Sequence, residues 1–214
     1  MFKEQQNFLI IGKKNSGKSA LGWKIAETIH YESGRKVYAF NSPDISLLNK
    51  IPFEVTNVLR INELRTIIDG VIIIDESHRI FDCSSKMVNK NLRDILAISR
   101  QNNVCFIFIA HNSYFLNRSL FSFVDVKLIK EVVESHWELE RPHMKRLYSD
   151  IYIKGVDKFF IDSDELREET RFTKPIWYTD ELSSSYRAKV ITDLFLQIKN
   201  NADVADVAEI PASE

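Results

Sequence analysis

Residues 8–19, FLIIGKKNSGKS, constrain the fold of this chain more than any other stretch. An apolar run, Phe8–Ile11, ends at Gly12. Gly17, Lys18 and Ser19 follow after four further residues, and Leu21, Ile25 and Ile29 then recur at helical spacing up to Gly34. A buried strand that turns through G-x-x-x-x-G-K-S into a helix points backbone N–H groups and the positive end of the helix at one spot, which is an anion cradle. Gly12, Lys13, Lys14, Asn15, Ser16, Gly17, Lys18, Ser19 and Ala20 are therefore expected to hold the phosphates of a nucleotide. Lys18 reaches the β/γ oxygens and the Ser19 hydroxyl ligates Mg2+.

Such a loop needs a carboxylate at the end of a neighbouring strand. VIIIDE, residues 71–76, supplies Asp75 for the metal's water shell, and Glu76 beside it suits a base that polarises attacking water. Two acids also suit a helix start. A water-activating glutamate disfavours a small-molecule kinase, which must exclude water. The chain has no Asn-Lys-x-Asp guanine reader, which disfavours a GTPase. ATP with Mg2+ is the expected pair.

VCFIFIAH, residues 104–111, is a second continuously apolar strand, ending in His111 with Asn112 beside it. If it lies between the other two strands, His111 faces the γ-phosphate; otherwise it caps a strand. Further strands are expected at Val37–Phe40 and Val124–Ile129, with Phe53–Leu59 as an edge strand. Helices are expected over Ile61–Ile68 and from Met87 to about Asn102. Apolar strands alternating with helices imply a mainly parallel sheet covered on both faces. IYIKGVDKFFID, residues 151–162, reads as a hairpin turning near Gly155, and Ser183–Asn200 as a last helix. The organisation expected is one ATPase domain over 1–200, with its core at about 8–130 and an extension at about 131–200. A flexible tail is expected over 201–214.

The 214 residues carry 29 Lys and Arg against 30 Asp and Glu. The tail holds Asp203, Asp206, Glu209 and Glu214 and no base, so the body has 29 basic against 26 acidic residues. Any nucleic-acid contact must then come from a local patch. No apolar run approaches the ~20 residues that span a bilayer, and the N-terminus lacks a leader pattern, so a cytoplasmic protein is expected. Cys83 and Cys105 read as free thiols. His30, His78, His136 and His143 show no ligand spacing.

GKKNSGKS, VIIIDE and ISRQNNVCFIFIAH together resemble the catalytic run of the FtsK–HerA superfamily of ring-forming DNA-pumping ATPases, over roughly residues 8–130. The resemblance implies an α/β P-loop NTPase fold of the RecA/FtsK-like, additional-strand type with a catalytic glutamate. Its helix-end arginine is matched by Arg100, which implies a finger supplied to the neighbouring subunit's nucleotide. Arg79 and Arg118 are alternates, and a helix C-terminus favours a cation in any case. The family's sensor glutamine is here His111. A stand-alone motor of this size is similar to the genome-packaging ATPases of tailless, membrane-containing icosahedral viruses. That likeness implies a homo-oligomeric ring, double-stranded DNA, and capsid or membrane vertex proteins as partners, in a host cytoplasm or a virion. A protein-assembly or secretion ATPase and a non-catalytic nucleotide-binding module are the other readings. Arg141, Lys145 and Arg146 beside Tyr148, or Lys86, Lys90 and Arg93 on one helix face, are the candidate DNA contacts. Each cluster also reads as a solvated basic face.

Overall fold

The computed structural model describes residues 6–40, 48–80, 86–114, 116–133, 137–138 and 140–178, without the side chains of 78, 79, 86–91 and 98. The apolar runs become β1 (Phe8–Ile11), β4 (Gly70–Ile74) and β5 (Cys105–Ala110), every residue of which is buried. With β2 (Lys36–Phe40), β3 (Val55–Val58), β6 (Val126–Ile129), β7 (Lys158–Asp162) and β8 (Arg167–Arg171) they form one sheet in the order β3-β2-β4-β5-β1-β6-β7-β8. Pairings from β3 to β6 are parallel; β6–β7 and β7–β8 are antiparallel.

The strands read as unbroken apolar runs because both faces are covered. α1 (Lys18–Ser33) packs on one face, where Trp23, Ile25 and Ile29 meet Phe8, Ile10, Ile73, Ile107 and Ile109. Leu9, Ile11, Ile72, Ile74, Phe106 and Phe108 point the other way. There they meet α3 (Lys86–Ser99) through Leu92 and Ile95, α4 (Arg118–Phe123) through Leu120, and α5 (Pro142–Ser149) through Met144 and Leu147. α2 (Ser77–Ile80) is one turn directly after the Asp-Glu pair.

Two expectations are corrected. The hairpin is β7–β8, turning through residues 163–166, and not a turn near Gly155. Ile153 is buried and Ile151 half-buried without pairing as a strand, and REETR of β8 has no apolar alternation because it is an exposed edge. The helix expected at 61–68 is a 3-10 turn, Ile61–Thr66. The edge strand expected near 53–59 forms as β3. Ser183–Asn200, the tail, Cys83 and His136 lie outside the described residues. Cys105 is a buried free thiol that donates to the Gln6 carbonyl at 2.9 Å, and burial pushes it up to about 12.

Asn7 ties the central strands at the edge opposite the phosphate loop. It is 1% exposed. Its Oδ1 accepts from the Phe106 N–H at 3.0 Å, and its own N–H and Nδ2 both donate to Asp125 Oδ2, at 2.8 and 3.2 Å. Asn7→Ala leaves the buried Phe106 N–H without its acceptor and removes one of the two donors to Asp125. The expected loss is about 1–3 kcal/mol of unfolding free energy, read by urea denaturation with an unchanged slope.

Candidate active site

Parallel strands bring their C-terminal ends to one edge of the sheet, and four polar segments leave that edge side by side. The glycine loop follows β1, Asp75–Glu76 follows β4, His111–Ser113 follows β5, and Lys130–Glu131 follows β6. β5 stands between β1 and β4, as the placement of His111 required.

The loop closes on itself before any ligand is considered. Gly17 caps α1 at φ 85°, and a Cβ there would come within 2.8 Å of the Val156 carbonyl oxygen, so only glycine fits. Asn15 adopts φ 63°. Lys14 and Asn15 are exposed, whereas Ser16, Lys18 and Ala20 are buried. The Lys13 N–H donates to the Glu131 carbonyl at 2.7 Å and its Nζ pairs with Glu131 Oε1 at 2.5 Å. Lys18 Nζ donates back to the Lys13 carbonyl at 2.8 Å. Ser16 Oγ is buried without a partner among the described residues. An orphaned hydroxyl in the loop that leads into the N-terminus of α1 fits a phosphate oxygen.

Ser19 Oγ donates to Asp75 Oδ2 at 2.7 Å, so the first turn of α1 reaches across β5 to the end of β4. The other oxygen, Oδ1, accepts the Glu76 N–H at 2.8 Å. Burial, with the Glu76 charge added, holds the Asp75 carboxyl above its ordinary value, while the Ser19 hydroxyl, the Glu76 N–H and Lys18 pull it down. A hydroxyl against a carboxylate is a fitting donor set for a hard divalent cation such as Mg2+.

Glu76 sits at φ 52°, a left-handed conformation that costs a non-glycine residue roughly 1–3 kcal/mol and clusters at functional positions. His111 lies between the two charged groups. Its Nδ1 is 3.3 Å from Lys18 Nζ, and its Nε2 is 3.2 Å from Glu76 Oε1. A lysine donates to Nδ1 only when that nitrogen is bare, so this pair of contacts selects the tautomer with its proton on Nε2, aimed at Glu76.

Arg100 is not brought to this edge. It is exposed at the end of α3, beside the start of β5. The six residues of β5 separate it from His111 by about 20 Å. Arg118 is exposed at the first turn of α4, close in the chain to the exit of β5, and the Arg79 side chain lies outside the described residues. In the basic clusters, Arg141 turns inward, donating to the Leu116 carbonyl and lying 5.3 Å over the Phe121 ring. Tyr148 is buried, while Arg146 and Arg93 are exposed; the side chains of Lys86 and Lys90 lie outside the described residues.

Three features carried no sequence signal. Lys130 is fully buried and donates to the Val156 and Lys158 carbonyls, at 2.6 Å each, holding that segment over Gly17. Burial lowers Lys130 to about 8. Beside it, a cavity of about 240 Å3 opens between Glu131, Val132, Trp137, Tyr152 and Lys154. Glu140 is a buried carboxylate bonded to Ser113.

The family description "ATPase family associated with various cellular activities (AAA)" matches residues 8–132, the stretch from β1 to the loop after β6. The chain belongs to the AAA ATPase family. Among solved structures, the genome packaging NTPase B204 of Sulfolobus turreted icosahedral virus 2, in complex with ATP-γS, superposes with a TM-score of 0.62. The two are 16% identical, over 79% of this chain and 98% of B204. The pCW3 conjugation coupling protein TcpA gives 0.58 at 9% identity, covering 87% of this chain and 66% of TcpA. The cytoplasmic domain of the type VII secretion ATPase EccC from Thermomonospora curvata gives 0.57 at 10%, covering 80% and 24%. At these identities the likeness is one of fold. At that level the resemblance drawn from the sequence holds: this AAA chain has the mainly parallel, helix-flanked P-loop NTPase fold of a packaging ATPase. No curated protein matches the sequence. No helix among the described residues is long and apolar enough to cross a membrane.

A carboxyl held above its ordinary value by burial costs the fold stability as pH rises through the unfolded value of 3.8 and then the higher folded one, because the charged form is the disfavoured form. Above both values the uncharged isostere is relieved of that cost. Asp75→Asn is therefore expected to match or exceed the wild-type Tm at pH 7 without nucleotide, while its turnover with Mg2+ is lost. Calorimetry and a phosphate-release assay read the two effects.

Proposed function

We propose that this chain is an ATP-hydrolysing translocase of double-stranded DNA, the motor that packages a viral genome into a preformed capsid, and that it works as a homo-oligomeric ring. The observation that carries the reading is His111 set between Lys18 and Glu76. The proposed γ-phosphate group, the proposed base and the polar group between them share one edge of the sheet. The fold likeness to the genome packaging NTPase B204, which covers 98% of that protein, supports the packaging reading.

In this reading Gly12–Ala20 wrap the phosphates, and Lys18 exchanges its present partners for the β/γ oxygens. Ser19 and Asp75 are the residues that would hold Mg2+, whose bound charge offsets the charge on the phosphates. Glu76 accepts the proton of the attacking water while His111 Nε2–H holds the carboxylate in place. The cavity beside Glu131 lodges the base. Arg100, remote from its own nucleotide and exposed, serves the neighbour's, stabilising the charge that builds on the transferring phosphoryl group. DNA is gripped through its phosphates without base readout, by Lys145, Arg146 and Arg93 repeated around the ring. Capsid or membrane vertex proteins anchor the ring, in the host cytoplasm or on the virion.

The test is ATPase rate per subunit against protein concentration, with and without double-stranded DNA. A shared site predicts a rate that rises steeply with concentration and is stimulated by DNA, with the stimulation lost as salt rises. Arg100→Ala and Glu76→Gln are each expected to lose about 10²-fold or more in kcat while still binding ATP. Turnover that is independent of concentration and of DNA would favour an assembly or secretion ATPase. Full activity in Glu76→Gln would leave only a nucleotide-binding module.

A further inference from the structure

The turn that leaves β5 carries His111 at its start, and two consecutive residues before α5 grip it. Glu140 is 4% exposed. Its Oε1 accepts the Ser113 N–H at 2.9 Å and the Tyr148 O–H at 3.3 Å, and its Oε2 accepts the Ser113 Oγ–H. Arg141 donates to the Leu116 carbonyl at the other end of the same turn, which the Leu116 N–H closes onto the Ser113 carbonyl at 3.2 Å. Ser113 is fully buried. Burial and the Glu140 charge both push the Tyr148 phenol up, so it stays a donor. A carboxylate away from water binds such donors more strongly than a neutral acceptor does. Ser113 is two residues from His111, whose ring meets Lys18 at 3.3 Å and Glu76 at 3.2 Å. Only two peptide planes separate Ser113 from His111, so a shift of Ser113 has few torsions in which to dissipate before it reaches His111.

We infer that Glu140 is a positioning residue for ATP hydrolysis: through Ser113 it fixes the β5 exit turn so that His111 stays between Lys18 and Glu76. The inference rests on the reading of His111 given above. Glu140 touches neither phosphate nor water in this scheme. It acts through the backbone and hydroxyl of Ser113, and through Tyr148 it joins the site to the last turn of α5.

Four variants test it: Ser113→Ala, Glu140→Gln, Glu140→Ala and His111→Ala. Each is read by kcat, KM for ATP, Tm and the imidazole NMR signals of His111 in the nucleotide-free protein. Glutamine keeps an acceptor for the Ser113 N–H and offers an N–H to Oγ, so Glu140→Gln is expected within about threefold of the wild-type kcat. Misplacement by an ångström costs up to about 10²-fold. Ser113→Ala is expected to lose about tenfold in kcat and Glu140→Ala about a hundredfold, with KM within twofold and shifted His111 signals. Combining Ser113→Ala with Glu140→Ala is expected to be no slower than Glu140→Ala alone, because both substitutions cut one linkage. Should Glu140→Ala not fold, Ser113→Ala and Glu140→Gln decide the matter. Wild-type kcat and unshifted His111 signals in Ser113→Ala would overturn the inference while leaving the function standing. So would a kcat loss that follows Tm with His111 unshifted. Wild-type kcat in His111→Ala would overturn both.

Discussion

β5 stands between β1 and β4, and the site depends on that insertion. Neighbouring strands lie about 4.8 Å apart, so the ends of β1 and β4 are about 10 Å apart. A gap of that width admits a side chain between the glycine loop and the acid pair, and His111, at the end of the intervening strand, fills it. The gap also leaves the first turn of α1 to reach Asp75 on its own, which Ser19 does at 2.7 Å. Were β4 next to β1, neither contact would have this form.

Several groups at this edge are held in states that a free chain would avoid. Asp75 is a carboxylate whose charge burial disfavours, Lys130 is a cation without water, and Glu76 has a left-handed backbone. Two of them are over-determined by their neighbours: Asp75 by Ser19 and the Glu76 N–H, Lys130 by two carbonyls and the Phe172 ring 4.7 Å away. Such an edge is poor for stability, as strained and desolvated groups gathered at a functional site are. The large apolar core on both faces of the sheet carries the cost.

The glycine loop and VIIIDE were legible in the sequence because their chemistry needs fixed residue types at fixed spacing beside a buried strand. The strands they follow were legible because burial on both faces writes an unbroken apolar run. β8 was not legible: an edge strand facing water spells Arg-Glu-Glu-Thr-Arg, and its partner β7 was therefore paired with the wrong segment. The two exposed residues of the loop, Lys14 and Asn15, looked the same in sequence as buried Ser16. Arg100 matched a position in a pattern, and only the sheet reveals that it lies at the far edge from its own phosphate loop. The Ser113–Glu140 linkage spans 27 residues between ordinary polar side chains, a pairing that depends on tertiary packing alone.

On the proposed function the ends of β1, β5 and β4 meet at a γ-phosphate, with Lys18 on its oxygens and His111 holding Glu76 beside it. The most direct measurement is kcat for His111→Ala beside its equilibrium affinity for a non-hydrolysable ATP analogue. Removing the imidazole is expected to lower kcat about tenfold or more while the affinity stays within about twofold of the wild type. Wild-type kcat, or a loss of affinity that accounts for the whole loss of rate, would contradict it.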